Sequence, residues 1–240
     1  MSLPRSGRPV AMRKDLGLIL ISATAGALLL VLALPRFMAA AISAPYDQTM
    51  RDLGDPAKAG TVSPDAVKAA ILSRKRAIRW QDNSRLWSDL GALQLEQAEA
   101  AGLKTAQGRD LAARSLESHR QALALDPVQP YAWLRVAKAE LVVNGMTPAL
   151  NPPLQMSVRT APREPQLVLD RLELAFTVWP MLDKTTRALM NEQVVIAARF
   201  YEKNLALMAR RHRASDILAE ALRDEEGLYR RVGFYYRRGY

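Results

Sequence analysis

The stretch that decides the fold is ALALDPVQPYAWLRVAKAEL, residues 122–141, in which two prolines separate two segments rich in Ala and Leu. It aligns with SVRTAPREPQLVLDRLELAF, residues 157–176, at a spacing of 35, and both prolines fall on prolines. An earlier segment, AIRWQDNSRLWSDLGAL at residues 77–93, has the same layout without the prolines and with one residue fewer. Because proline ends one helix and begins the next, three copies predict a repeated helical hairpin.

These residues resemble the tetratricopeptide repeat (TPR) family, whose helix-turn-helix unit of about 34 residues has Trp, Leu and Gly early and Ala and Pro late. Trp87, Leu90 and Gly91 match the early positions. Ala122 and Pro127 match the late ones, with the 12-residue insertion EAAGLKTAQGRD between the two helices. The resemblance implies a TPR-like α-solenoid of stacked hairpins with one concave surface.

The matched region runs from residue 64 to about residue 180, within a predicted repeat domain of residues 63–228. Beyond it, an amphipathic pattern from Thr185 to about His212, capped by Asp183, predicts a long helix. A short helix from Ser215 to Tyr229 is predicted to follow. We interpret these two helices as the closing end of the array.

The composition agrees with an all-α protein. The hydrophobic share of the 240 residues is 49%, mostly Ala and Leu, and aromatic residues make up only 6%. Long alternating runs of Val, Ile and Thr are missing, so helix should dominate over sheet. The chain has no cysteine, which excludes disulfides, thiolate zinc sites and cysteine nucleophiles.

Residues 16–34, LGLILISATAGALLLVLAL, form an uncharged run of 19 residues, enough for a transmembrane helix to cross about 30 Å of hydrocarbon. Four basic residues precede the run within residues 1–15, whereas only Arg36 follows closely. By the positive-inside rule, the basic N-terminus stays in the cytoplasm and the chain after residue 35 is exported. We therefore predict a single-pass protein of the inner (cytoplasmic) membrane, with the bulk of the chain periplasmic.

A cleavable signal peptide is the alternative interpretation of this segment, because Pro35 and Ala39 to Ala41 offer a break and a small-residue cleavage site. The retained signal anchor is favoured, since the apolar run exceeds the roughly 7 to 15 residues of a cleaved signal's core. In addition, Arg36 lies inside the cleavage region. Both interpretations export the domain.

Between the span and the repeats, residues 35–62 are predicted to form a linker. Residues 44–62, APYDQTMRDLGDPAKAGTV, mix Pro, Gly and Asp with little periodicity. A helix from Pro64 to about Trp80 should follow, because Ser63 is a good N-cap and proline suits the first helical position.

Catalytic groups are scarce in this sequence. The only histidines are His119 and His212, and no phosphate-binding glycine loop, HExxH or GxSxG motif occurs. We expect His119 to be a packing residue inside its repeat and His212 to complement a helix dipole. Acidic pairs among Asp224, Glu225 and Glu226 could in principle serve in glycoside hydrolysis, but adjacent acids on a helix surface more often have no chemical role. We predict no enzymatic activity, no cofactor and no metal.

The sequence favours a binding function over a catalytic one. The expected binding surface is the concave face that the first helices of the hairpins form. The resemblance places Arg85, Tyr131, Arg135 and Lys138 there, as a mixed basic and aromatic groove for a partner. The asparagines of the family's carboxylate-binding clamp are missing. The alternative is that Arg135 and Lys138 belong to an ordinary solvated face.

The chain closes on the basic and aromatic tail YRRVGFYYRRGY, residues 229–240. This pattern suits nucleic acid, but the predicted topology puts it outside the cytoplasm, so no nucleic acid is expected. The tail either docks on a protein, contacts anionic lipid headgroups or caps the array, and the first two are favoured. Its candidate binding residues are Tyr229, Arg230, Arg231, Phe234, Tyr235, Tyr236, Arg237, Arg238 and Tyr240.

Two functions from different classes follow. The leading prediction is a membrane-anchored, non-enzymatic TPR-like scaffold or adaptor, whose exported array docks protein partners of an envelope complex in assembly, export or secretion. The alternative is an accessory protein of polysaccharide or cell-wall biosynthesis or export that binds an anionic glycan through arginines and aromatic rings.

Overall fold

The computed structural model describes the backbone of residues 10–55 and 57–238, and the side chains of the same residues except 10–16 and 59. No β-strand occurs in these ranges, so the prediction of an all-helical protein is confirmed. The α-helices are α1 (Val10–Ser43), α2 (Asp47–Gly54), α3 (Pro64–Trp80), α4 (Ser84–Ala101), α5 (Ala106–Leu125), α6 (Pro130–Asn144), α7 (Asn151–Thr160), α8 (Pro165–Val178), α9 (Lys184–Phe200), α10 (Glu202–Arg211), α11 (Ser215–Ala221) and α12 (Glu226–Arg238).

Helix α1 is long and apolar enough to cross a membrane. Its large apolar side chains between Leu18 and Leu34 are 51 to 72% exposed, so they do not belong to the protein core. Pro35 lies inside the helix and does not end it. The apolar part of α1 therefore leads without a break into the folded body.

The predicted linker is mostly helical instead. Helix α1 continues to Ser43, a 3₁₀ turn covers Ala44–Tyr46, and α2 follows. Apolar residues in this region recur at spacings of three and four, which suits one buried helical face. Because this face packs against α3 and α4, the region belongs to the body. The residues concerned are Ala39, Ile42, Tyr46, Met50 and Leu53.

Local signals set the helix boundaries where the caps are strong. The Ser63 side chain accepts a hydrogen bond from the backbone N–H of Ala66, and α3 spans the predicted residues. The Asp183 carboxylate accepts one from Thr186 at 2.7 Å and begins α9. Each cap satisfies an N–H group that the helix itself leaves unpaired, so the sequence fixes these starts.

The body is a stack of antiparallel helices in chain order. Helices α3 to α6 each pack against the next one, and α9 packs against α7 and α8. Helix α6 also contacts α4 and α8, which places these three helices side by side. The insertion lengthens α4 and α5 rather than the turn between them, which is short and turns at Gly102 with φ of +85°.

Helices α4 and α5 approach each other closely at Gly91. A Cβ atom at this glycine would lie 2.7 Å from the His119 ring. The Ser115 hydroxyl donates a 2.7 Å hydrogen bond to the Gly91 carbonyl across the same contact. Glycine is therefore required here by the distance between the two helices.

Two buried arginines hold segments that lie far apart in the chain. Arg74 donates to the Ser43 carbonyl at 2.9 Å, to Asp47 at 2.7 Å and to Asp89 at 3.1 Å. Arg171 donates to the Ser157 carbonyl at 2.6 Å. These bonds satisfy carbonyl groups at helix ends, which would otherwise be buried without partners.

The carboxyl-terminal end differs from the predicted pair of helices. The chain bends at Tyr201, which separates α9 from α10, and α11 and α12 replace the single short helix. This bend lets α10 pack against α12. The tail then forms most of α12, whose Leu228 and Val232 are buried and whose Tyr235 and Tyr236 pack against the same apolar cluster. The tail thus caps the end of the stack that lies farthest along the chain from α1.

Candidate functional site

An open groove of about 510 Å³ crosses α4, α6 and α8. Its apolar floor contains Leu95, Leu134 and Leu167, which are 2 to 7% exposed. Met50 and Leu53 of α2 close one end. The groove lies where α6 contacts both α4 and α8, and all three helices contribute to its lining.

Three of the four predicted groove residues come together here. Tyr131, Arg135 and Lys138 line the groove on successive turns of α6. Their spacing of three and four residues puts them on one helix face. These three predicted residues therefore share one wall of the groove.

Arg85 does not lie in the groove. It is exposed at the first turn of α4 and lines a separate cavity of about 230 Å³ with Arg36, Arg74 and Asp89. Arg85 is seven residues before Ala92, which does line the groove. At 1.5 Å per residue, this separation is about 10 Å along the helix, so Arg85 belongs to the end of α4 rather than to its groove face.

Arg135 is a partly buried cation near the middle of α6. None of the described residues pairs with its guanidinium within ion-pair distance. Burial lowers the pKa of Arg135, and the carboxylates of Asp89 and Asp170 oppose that shift. A guanidinium presents several N–H donors in a planar fork, so Arg135 is suited to bind a carboxylate that a ligand brings.

The sequence suggested a basic and aromatic groove, but the structure adds acidic residues to its lining. Glu96 and Glu99 on α4 and Asp170 on α8 also line it. Lys138 pairs with Asp170 at 3.1 Å. Burial raises the pKa of Glu99, the charge of Glu96 adds to this rise, and Lys138 opposes it. The lining therefore carries both signs of charge over an apolar floor.

The sequence contained a signal for these acids. Ala92, Glu96 and Glu99 follow the matched Gly91 at helical spacing, so they share one face of α4. Asp170 likewise lies four residues after Gln166 on α8. Their convergence depends on how α4, α6 and α8 are packed, and that packing is not visible in local spacing.

Tyr131 is fixed at the mouth of the groove. Its hydroxyl donates to Glu164 at 2.9 Å, and Gln166 Oε1 lies 3.0 Å from the same oxygen. Burial together with the Glu164 carboxylate raises the pKa of Tyr131 to about 12. The phenol is therefore neutral, and its ring forms a rigid edge of the binding surface.

Both histidines are structural in this arrangement. His119 is fully buried, and its two ring nitrogens have no hydrogen-bond partner among the described residues. Burial, reinforced by Arg135, lowers its pKa to about 3, so the ring is neutral. His212 ends α10 and lies 2.8 Å from Glu173. Neither ring faces the groove.

Asp224 and Glu225 lie between α11 and α12, and Glu226 begins α12; Glu225 pairs with Arg199. Within residues 10–55 and 57–238, no group of three His, Asp or Glu side chains is arranged to hold a metal ion. The groove, by contrast, brings several polar groups together over an apolar floor, which is the usual character of a binding surface.

The tail residues divide between two faces of α12. Tyr235 and Tyr236 pack inward, and Arg231 donates to Glu202 at 3.2 Å. The exposed members are Tyr229, Arg230, Arg231, Phe234, Arg237 and Arg238, and Tyr240 lies outside the described residues. The tail thus joins the core instead of forming a separate arm.

Comparisons of the whole chain with protein-family models, curated proteins and solved structures find no match.

Proposed function

We propose that this protein is a membrane-anchored, non-enzymatic adaptor whose groove binds an extended segment of a partner protein. The observation that carries the proposal is the groove across α4, α6 and α8, where Arg135 has no ion-pair partner among the described residues and lies beside buried leucines. Such a surface provides apolar contact area together with fixed charges that set the register of a bound chain.

We further propose that the stack is a TPR-like α-solenoid. The hairpins would be α4 with α5, α6 with α7 and α8 with α9, each first helix facing the groove. The contacts of α6 with both α4 and α8 support this grouping, as does the close approach at Gly91. In such an array, the first helices form the concave binding surface.

Membrane attachment through α1 gives the proposed adaptor its location. The span would lie in the inner membrane with the body on the periplasmic side, because basic residues precede the apolar run. The partner would then be a protein of an envelope complex, in or near the same membrane. An anchored receptor needs only a modest affinity, since both proteins are confined to one surface.

The charges of the groove favour a protein segment over an anionic glycan. Glu96, Glu99 and Asp170 would repel the carboxylates or phosphates of such a glycan. A peptide carries cations for the acidic wall and an anion for Arg135. Its apolar side chains would also cover Leu95 and Leu134, which a charged sugar chain would not do.

Site-specific photo-crosslinking in native membranes tests this proposal. A photoreactive amino acid replaces Gln166, which is exposed at the groove, and a matched variant carries it at Glu117, which is exposed on α5. We expect a discrete protein adduct from position 166 alone. Arg135→Glu should reduce that adduct at least tenfold, since it removes a charge-assisted hydrogen bond and adds repulsion.

Three crosslinking results would contradict the proposal. Equal adducts from positions 166 and 117 would place the partner outside the groove. An adduct that Arg135→Glu leaves unchanged would remove Arg135 from the interface. Isolation of a covalently bound polysaccharide instead of a protein would favour the glycan alternative.

A further inference from the structure

The direction of α3 relative to α1 brings one end of the body close to the membrane. The Ser73 hydroxyl donates to the Ile42 carbonyl at 2.8 Å. One turn later on α3, Ala77 packs with Ala39, three residues earlier on α1. The two helices are therefore antiparallel, and α3 runs back toward the apolar part of α1.

The height of this end above the hydrocarbon follows from helix geometry. The uncharged run ends at Leu34, and Ala39 lies five residues later, or about 7.5 Å along the helix. The polar headgroup layer on each side of a bilayer is roughly 5 to 7 Å thick. Trp80 lies three residues beyond Ala77, about 4.5 Å nearer to the hydrocarbon. The end of α3 is therefore level with the headgroups.

Cations and exposed rings collect at this level. We define the membrane-proximal patch as Arg36, Phe37, Arg76, Arg79, Trp80 and Arg85, all of which are exposed. Phe37 is 67% exposed and Trp80 46%. None of the four arginines pairs with an acidic side chain of the described residues. Their charge is available to an external anion.

Two of the patch arginines also line a small cavity. It measures about 230 Å³ and lies between Arg36 at the end of the span and Arg85 at the start of α4. The buried Arg74 forms its back, although Asp47 and Asp89 already pair with that guanidinium. Arg36 and Arg85 are exposed and have no ion-pair partner among the described residues, so they are the groups that a phosphate would meet.

We propose that the membrane-proximal patch binds anionic phospholipid headgroups of the bilayer that α1 crosses. Arginines at this height attract anionic lipid, and Trp and Phe suit the boundary between headgroups and hydrocarbon. This contact fixes the tilt of the body on the membrane. The patch does not involve the groove, and it places lipid contact on α1, α3 and α4 rather than on the tail.

The position of Trp80 is tested with the full chain in lipid nanodiscs. The chain has four tryptophans, and only Trp80 belongs to the patch. We expect a headgroup spin-labelled phosphatidylcholine to quench part of the tryptophan fluorescence, and Trp80→Phe to abolish that quenching. Quenching that persists in Trp80→Phe would overturn the proposed height of the patch.

The charge of the patch is tested in nanodiscs of phosphatidylcholine with a minor fraction of phosphatidylglycerol. One arginine near an anionic surface is worth roughly a fivefold preference for anionic lipid. We expect lipids retained after mild detergent extraction to be enriched in phosphatidylglycerol by at least that factor. A variant with glutamine at all four patch arginines should show no enrichment.

A matched control removes the same charge from the far parts of the body. It carries glutamine at exposed arginines without an ion pair among the described residues, namely Arg159, Arg163, Arg210 and Arg223. This control should keep the enrichment. Equal loss in both variants would mean that total charge, not the patch, attracts the lipid. Enrichment that survives in the patch variant would refute the proposal.

Discussion

Replacing His119 by leucine should remove an acid-sensitive part of the stability. The ring is fully buried and carries no hydrogen bond among the described residues. Burial lowers its pKa from 6.5 to about 3. Between these values the unfolded chain binds a proton that the folded protein does not. The stabilising contribution is therefore complete above pH 6.5 and is lost as the pH falls through this window.

The size of the effect follows from the two pKa values. From pH 7 to pH 5, protonation of the unfolded histidine lowers the unfolding free energy by about 2 kcal/mol, at roughly 1.4 kcal/mol for each pH unit below 6.5. Burial raises the pKa of Asp89 and Glu99, which acts in the opposite direction. These two carboxyl groups are present in both proteins, so they cancel in the difference between native and variant.

The assay is denaturant unfolding of the full chain in mild detergent, followed by circular dichroism at pH 7 and pH 5. The native protein should lose about 2 kcal/mol more than His119→Leu over this range. An identical acid response in His119→Leu and the native protein would refute the assignment of a buried neutral ring.

Two further predictions concern packing, and both are measured as changes in unfolding free energy in the same assay. Gly91→Ala should cost about 2 kcal/mol by overpacking, because the added Cβ would lie 2.7 Å from the His119 ring, whereas Gly227→Ala meets nothing within 4 Å and should not destabilise. Val232→Ala should cost roughly 2 kcal/mol, because Val232 is 1% exposed within α12. The exposed control Val128→Ala should change stability by less than about 0.5 kcal/mol, and equal effects of the two valine changes would contradict a packed tail.

Much of the helical layout was predictable from short-range chemistry. Capping by Ser63 and Asp183 set the starts of α3 and α9 because a cap acts within three residues. The linker prediction differs from the structure for a related reason. Pro and Gly are frequent there, but Ala39, Ile42 and Tyr46 carry a helical apolar face. Such an apolar face stabilises a helix only when α3 and α4 pack against it and bury it.

The site was predictable in part. Tyr131, Arg135 and Lys138 lie on one face of α6, as their spacing required. Arg85 shares the chain segment of α4 but lies about two turns from the groove. The acidic wall formed by Glu96 and Glu99 changed the character of the site from basic to mixed, and it comes from a different helix. Charges that meet across helices cannot be read from either helix alone.

The sequence by itself determined that the chain is helical, that one segment is apolar enough to span a membrane, and where the strongest caps begin helices. These properties depend on periodicity and contacts within a few residues. Only the tertiary structure decided that α3 returns toward the apolar segment, that acids face Arg135 across the groove, and that the tail packs into the core. Each of those outcomes depends on which apolar faces cover one another, and this choice is made by packing between segments far apart in the chain.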